Sequence, residues 1–348
     1  MKGTDMTNHT DPLPSSMAAV VARTGGSIEQ AESLVDATIT APSHPSGTDL
    51  LVRVNAISVN PVDTKVRAGL SSGDEVILGW DAIGDIAEVG PKVSTFHRGE
   101  RVWYAGDITR PGSYAQYELV DERLVAHAPT HWDDASAAAL PLTGLTAWEA
   151  LFDKLKLQHD SSGTLLVIGA AGGVGSMIIQ LAKHLTNLTV IALASRPQSK
   201  EWAANLGADS VVDYHSPDLA QHIHTLAPDG VDYAFSAYSK AYIPLLVEVM
   251  RPFGEIVAID DEHHLDWYAL KDKALSWHWE FMFARAKHHA HDLARQHNIL
   301  ENLAKLADEG LLLSTMTQHL SPINANTLRQ AHRMVESGHM NGKVTITR

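Results

Sequence analysis

Two textures of apolar residues divide the chain. From Met17 to about Leu140 the apolar positions fall in short runs: LLVRVNAISV (50–59), DAIGDIAEVG (81–90), ERVWYAG (100–106) and SYAQYELV (113–120). Glycine and proline punctuate them at short intervals, which predicts the strands of a small β-rich barrel. From Asp133 the texture changes. DDASAAALPLTGLTAWEALFDKL has helical spacing broken at Pro141, as a residue without an N–H requires. Strand-like and helix-like runs then alternate: LLVIGA, MIIQLAKHL, TVIALA, SKEWAANLG, SVVDY, LAQHIHTLA, VDYAFSA, YIPLLVEVM and GEIVAID. Apolar strands interleaved with helices predict a doubly wound parallel sheet, an α/β fold. After about Ala290 a helical stretch, NILENLAKLADEGLL, leads into polar segments and a last β-type run, KVTIT.

The alternating half opens on LLVIGAAGGVG (165–175), an apolar run that stops in a glycine cluster before a helical pattern. A strand, tight turn and helix in this order suit a dinucleotide pyrophosphate. Glycines let the backbone approach the phosphates, and the helix start offers unpaired N–H groups. Gly172, Gly173, Val174 and Gly175 are the expected contacts, with Ala170 where the fingerprint usually has its first glycine. Alanine costs little there if its backbone stays at negative φ. The next strand, LTVIALA (188–194), ends in Ser195-Arg196 rather than an acid. A hydroxyl beside a cation suits the 2′-phosphate of NADP, whereas an acid would bind the 2′-hydroxyl of NAD. The expected cofactor is therefore NADPH, with Ser195, Arg196 and Lys200 around the 2′-phosphate and Tyr214 near the adenine ribose. Thr143, Ser236 and Ile259 lie where helix starts or strand ends would face the nicotinamide half, and Lys343 of the terminal NGK is a further neighbour.

Composition narrows the classes. A length of 348 residues suggests two domains, and 45% hydrophobic with 20% charged residues is ordinary for a globular protein. A net charge of −14 disfavours nucleic acid or an anionic membrane as partner. No apolar run reaches a membrane span, and the polar opening MKGTDMTNHTDPLPSS has no signal-peptide core; residues 1–16 are expected to be disordered. The absence of cysteine excludes disulfides and thiol nucleophiles, and a cytoplasmic location is the default expectation.

Several longer motifs resemble the medium-chain dehydrogenase/reductase superfamily. VNAISVNPVDTKVRAG (54–69) is similar to the N-terminal signature of its quinone oxidoreductase branch, as are ALPLTGLTAWEAL (139–151), GAAGGVG and LGADSVVDY (206–214). SVNPVDTKVR, WYAGDITRPGS, SWHWEFMFAR and SGHMNGK are most similar to its zinc-type alcohol dehydrogenase-like subgroup. The resemblance implies a GroES-like β-rich lobe (17–140, completed by a return segment, 291–348) and a Rossmann lobe (141–290), with substrate in the cleft between them. It implies Asn60 and Asp63 beside the nicotinamide, and a homodimer formed through the Rossmann lobe.

The subgroup's label invites a metal, and the residues argue against one. In the metal-dependent branch two cysteines and a histidine hold the catalytic zinc; the matching positions here fall within NPVDT, at Trp80 and at Thr143, and none supplies thiolate or imidazole. The four-cysteine structural loop is replaced by WYAGDITRPGS. His288, His289 and His291 are read as a solvated helix face, and His263-His264 as an exposed loop.

Without a Lewis acid, simple alcohol–carbonyl interconversion loses its main catalyst. A quinone or an α,β-unsaturated carbonyl gives a delocalised anion that hydrogen bonds suffice to stabilise. The expected reaction is NADPH-dependent reduction of such a small molecule. Asn60 would be the amide donor, Asp63 its neighbour, and Lys65 or Tyr104 the proton donor, with Trp80, Trp277 and Trp279 as a wall for a flat acceptor. An NADPH-dependent aldehyde or ketone reductase and a non-catalytic NADPH-binding redox sensor remain as alternatives.

Overall fold

The short N-terminal runs become one mainly antiparallel sheet in the computed structural model, which describes residues 13–71 and 73–348. β1 (Ser16–Val21) and β2 (Val35–Thr40) pair as an antiparallel hairpin. β3 (Asp49–Ser58) leads through α1 (Pro61–Ala68) to β4 (Ala82–Val89), β5 (Arg101–Tyr104), β6 (Tyr117–Asp121) and β7 (Val125–His127). β3 is the hub. It pairs antiparallel with both β4 and β6 and is buried along most of its length, so its run shows little polar alternation. Most of the N-terminal segment expected to be disordered lies outside the described residues; its last residue, Ser16, already opens β1, because its register partner Thr40 holds it in the hairpin.

α2 (Asp134–Ala138), packed against β3 and β4 of the first sheet, is capped by Asp133, whose carboxylate accepts the Ser136 N–H at 2.7 Å. Pro141 then occupies the first turn of α3 (Pro141–Trp148), where a missing N–H costs nothing, and α3 runs on into a π-helical turn over Glu149–Lys154. The alternating runs follow as β8 (Ser162–Ile168), α4 (Gly173–Leu185), β9 (Asn187–Leu193), α5 (Pro197–Asn205), β10 (Ser210–Val212), α6 (Leu219–Leu226), β11 (Val231–Ser236), α7 (Ser239–Val249) and β12 (Met250–Ala258). A sixth strand, β13 (Ser276–Trp279), was not foreseen, because SWHW has neither the length nor the apolar character of the others. All six are parallel, in the order β10-β9-β8-β11-β12-β13. This is the doubly wound Rossmann order, whose switch point lies between β8 and β11. Alternate residues of β8 enter different cores. Leu165 and Val167 join the large cluster shared with the other lobe, while Leu166 and Ile168 join a second cluster across the sheet.

The chain then returns through α8 (Ala284–Lys287), α9 (Arg295–Asp308), β14 (Met316–Leu320), α10 (Ala325–Glu336) and β15 (Lys343–Thr347). β15 pairs antiparallel with β3, so the C-terminus completes the sheet of the first lobe. The polar segments after α9 hide α10, whose start is set by the Asn324 side chain accepting the Thr327 N–H. His288, His289 and His291 are not on a helix face: α8 ends at Lys287 and His289 has φ +46°, a left-handed residue that stops the helix. Among the described residues no helix is long and apolar enough to cross a membrane.

Candidate functional site

The glycine turn sits at the switch point. β8 ends at Ile168, and Gly169 takes φ +85°, which an L side chain rarely adopts. The left-handed demand thus falls one residue before Ala170, which is buried without a positive φ. A Cβ on Gly175 would lie 2.3 Å from the Gly169 carbonyl oxygen, so glycine is needed for α4 to close on β8. A Cβ on Gly173 would lie 2.7 Å from the Lys343 side chain and 2.9 Å from that of Thr143, so this glycine makes room for side chains of other segments. Gly172 is the N-cap of α4, and Gly173, Val174 and Gly175 present the first helical turn to an interlobe cavity of about 270 Å³.

Opposite that turn lies a buried polar network. Asn60 is the N-cap of α1, and its backbone N–H donates to Asp63 Oδ2 at 2.7 Å. The Asn60 side chain is held at both ends: Oδ1 accepts from Lys343 Nζ at 2.6 Å, and Nδ2 donates to Asp81 Oδ2 at 2.9 Å. Lys343 Nζ also donates to the Val59 carbonyl at 2.6 Å and lies 3.7 Å from Asp81. Asp81 further accepts from Ser58 Oγ at 2.6 Å and from the Leu142 N–H at 2.8 Å, which ties β3, α1, β15 and the start of α3 together. Burial pushes the Asp81 carboxyl up and the Lys343 ammonium down, and each is opposed by the other's charge. Asp63, behind Asn60, is pushed up to about 7 by burial, against the Asn60 N–H, Lys343 and the Tyr114 hydroxyl, which donates to it at 3.0 Å. Tyr114 in turn meets His332 Nε2 at 3.2 Å, and burial drives that imidazole down to about 3.

Thr143, Ile259, Lys343, Asn60 and Lys65 line the cavity with the glycine turn. Lys65 is half-exposed and pairs across the cleft with Asp261 at 2.5 Å. Ser236 is fully buried at the end of β11 and reaches only the Tyr238 N–H and Ser239 hydroxyl. At the far end of the turn, Arg196 caps α5, and Lys200 pairs with Asp213 at 2.9 Å. Ser195 lies beside Arg196, and Tyr214 is exposed against His215, so these four residues form a separate, open patch beyond the cavity lining.

Besides the open patch, the expected residues Asp63, Ala170 and Ser236 are buried behind the cavity lining, and four more of the expected catalytic and wall residues are not brought to it. Tyr104 is buried in β5 beside Glu118, and burial together with that carboxylate raises its hydroxyl well above the usual range. Trp80 lies beneath the wall, its indole N–H donating to the Asp107 carbonyl at 3.3 Å and its ring edge-on to Phe283. Trp277 and Trp279 sit on the edge strand β13, clustered with Trp267. The aromatic wall is instead Phe281 and Phe283, with Met282 and Met340. Sequence reasoning passed over these, and also over Asp81, Tyr114, His332 and Tyr238. The one available signal was the carboxylate of GWD, a lone charge in an apolar run.

The donor set does not suit zinc. The polar groups at the cleft are an amide, a threonine, carboxylates and an ammonium, and Asp81 is already engaged by three hydrogen-bond donors and Lys343. Among the described residues no three His, Cys, Asp or Glu side chains converge to hold a metal. A dinucleotide fits better: the open turn of α4 and the cradle at Gly173 and Gly175 are what a pyrophosphate needs.

Residues 46–130 match the alcohol dehydrogenase GroES-like domain, and residues 173–272 the family described as zinc-binding dehydrogenase. A zinc-type alcohol dehydrogenase-like protein of Staphylococcus epidermidis is 40% identical over 311 residues, covering 87% of this chain and 91% of that protein. An NADPH-dependent alkenal/one oxidoreductase of Arabidopsis thaliana is 33% identical over 221 residues, 60% of this chain and 54% of that protein. The crystal structure of a putative zinc-dependent alcohol dehydrogenase protein from Rhizobium etli superposes with a TM-score of 0.91 at 43% identity, covering 96% of this chain and 98% of that one. With its GroES-like lobe, its Rossmann lobe and its glycine turn at the switch point, the chain belongs to the medium-chain dehydrogenase/reductase superfamily of nicotinamide-dependent oxidoreductases.

Proposed function

We propose that the protein is a zinc-independent, NADPH-dependent oxidoreductase acting on a quinone or an α,β-unsaturated carbonyl. The observation that carries this reading is the Asp81–Asn60–Lys343 network opposite the glycine turn, in a cleft built for hydrogen bonding and lacking, among the described residues, any thiolate or imidazole ligand set. A bound reduced nicotinamide supplies a hydride from its C4 atom. This chain's residues hold, orient and keep dry. Asn60 has one N–H left over after Asp81, and because Lys343 blocks the opposite amide orientation, that donor is preorganised for a developing oxyanion. Phe281, Met282 and Phe283 form an apolar wall that admits a flat acceptor and excludes water. Lys65, half-exposed at the mouth, is the ammonium from which a proton reaches the reduced product. The Arabidopsis relative named as an NADPH-dependent alkenal/one oxidoreductase supports the acceptor class.

The test is steady-state turnover on metal-free and zinc-supplemented protein, with NADPH against a panel of quinones and enones and with simple alcohols in the reverse direction. NADPH oxidation by one of the conjugated acceptors, unaltered by a chelator, is the expected result. Zinc-dependent alcohol oxidation with no turnover of any conjugated acceptor would refute it.

A further inference from the structure

The loop before β15 does something that neither the glycine turn nor the acceptor site requires. Three successive residues of it are tied to three points along the cleft. Asn341 Oδ1 accepts from Arg196 Nη2 at 3.0 Å and from Ser199 Oγ at 2.8 Å; the Gly342 N–H donates to the Ala171 carbonyl at 2.8 Å; Lys343 reaches Asn60. The strap is held from behind as well, since Thr317 Oγ1 donates to the Asn341 carbonyl at 2.6 Å. A Cβ on Gly342, at φ +57°, would lie 2.2 Å from the Thr315 carbonyl, so the close crossing demands glycine.

We propose that Asn341 is a specificity-determining residue: braced by the buried Ser199 hydroxyl, it positions Arg196 to receive the 2′-phosphate of the cofactor, so that the carrier's phosphorylation is read by both lobes at once. This rests on the NADPH reading above. Arg196 and Ser199 belong to the Rossmann lobe, whereas Asn341 enters from the loop leading into β15, the strand that completes the other lobe's sheet. The chemistry of the pin is specific. Lys200 is paired with a carboxylate, Asp213, but Arg196 is held by a neutral amide oxygen, which fixes the guanidinium without cancelling its charge. The Ser199 hydroxyl gives its one proton to the same Asn341 oxygen and so fixes the amide, while the Asn341 amide nitrogen, engaged by neither bond, supplies further N–H donors. A dianionic ester at the end of β9 would meet a cation and an amide already in place, whereas the 2′-hydroxyl of NADH would leave them unused.

The experiment is calorimetric titration of the full-length protein with NADPH and with NADH, for the wild type, Arg196→Ala, Asn341→Ala and the isosteric Asn341→Asp. Asn341→Asp keeps an acceptor for Arg196 and Ser199 but sets a carboxylate against the incoming phosphate. The Kd for NADPH is expected to rise about five-fold in Asn341→Ala and at least ten-fold in Asn341→Asp, with the Kd for NADH within two-fold of wild type. Equal weakening of both cofactors, or an unchanged NADPH affinity in Asn341→Asp while Arg196→Ala weakens it, would overturn the role of Asn341 and leave the NADPH reading intact. A wild type that binds NADH as tightly as NADPH would instead remove the reading itself.

Discussion

The two ends of the cleft are built on opposite principles. At the acceptor end, Asp81, Lys343, Asn60 and Asp63 are withdrawn from water, and nearly every polar atom is committed to a partner. At the phosphate end, Arg196, Lys200 and Tyr214 are half-buried or exposed and hold one or two contacts each. A buried charge repays its desolvation only through a complete set of partners, so the first end is rigid and intolerant of change. Exposed charges are solvated in either state; the second end costs little to keep open and gains its energy when an anion arrives. On the proposed function, orientation is fixed where bonds would change, and adaptability is kept where the carrier would enter and leave.

Mutations at each end should therefore differ in kind as well as size. The largest effect is expected from Lys343→Met, which leaves Asp81 buried without its cation. Urea unfolding should show a loss of about 3–5 kcal/mol, and Asp81→Asn in the same chain should restore part of it; a loss below about 1 kcal/mol would mean that the acceptor end is not electrostatically closed.

Asp63 adds a pH dependence. Its folded carboxyl is raised from 3.8 to about 7, so between those values the native state binds more protons than the unfolded state, and stability falls as pH rises. Relative to Asp63→Asn, the wild type should lose up to about 1.4 kcal/mol per pH unit across that window and nothing further above it. Parallel stability–pH curves for the two proteins would contradict the assignment.

At the open end, Arg196→Ala should leave unfolding unchanged and raise KM for NADPH about ten-fold, with little change for NADH. Similar rises for both cofactors would erase the distinction between the two ends. The smallest effect is expected from Lys65→Ala. Its pair with Asp261 is half-exposed on both sides, so stability should change by less than about 1 kcal/mol, whereas the rate of the chemical step in single turnover should fall; the reverse pattern would make Lys65 a strut.

How far the site was legible depends on the range of the interaction. The strand–glycine–helix turn was readable because its parts are contiguous, and the structure adds that the left-handed residue is Gly169. Asn60 and Asp63 were legible through a family resemblance, because the Asn-x-x-Asp pair is contiguous in sequence; that it caps a helix came from the structure. Their buried partners were not. Lys343 lies 283 positions from Asn60, and Tyr114 meets His332 across 218, so no window of sequence contains either pair. The tryptophans misled for a related reason. An aromatic residue advertises burial or a wall equally well, and which face of β13 meets the cleft depends on how that strand docks on β12.

By itself the sequence determined the two textures, the alternation of strands and helices from β8 to β12, the glycine turn, and the absence of cysteine ligands. All of these follow from local periodicity and backbone chemistry. Only the tertiary structure decided that β15 returns to pair with β3, that Lys343 and Asp81 converge on one amide, and that Phe281 and Phe283, not the tryptophans, face the cavity. The physical reason is that burial is a property of the whole assembly. A lysine in a polar tail and an aspartate in an apolar run become one closed network only when two lobes and the returning chain exclude water from both.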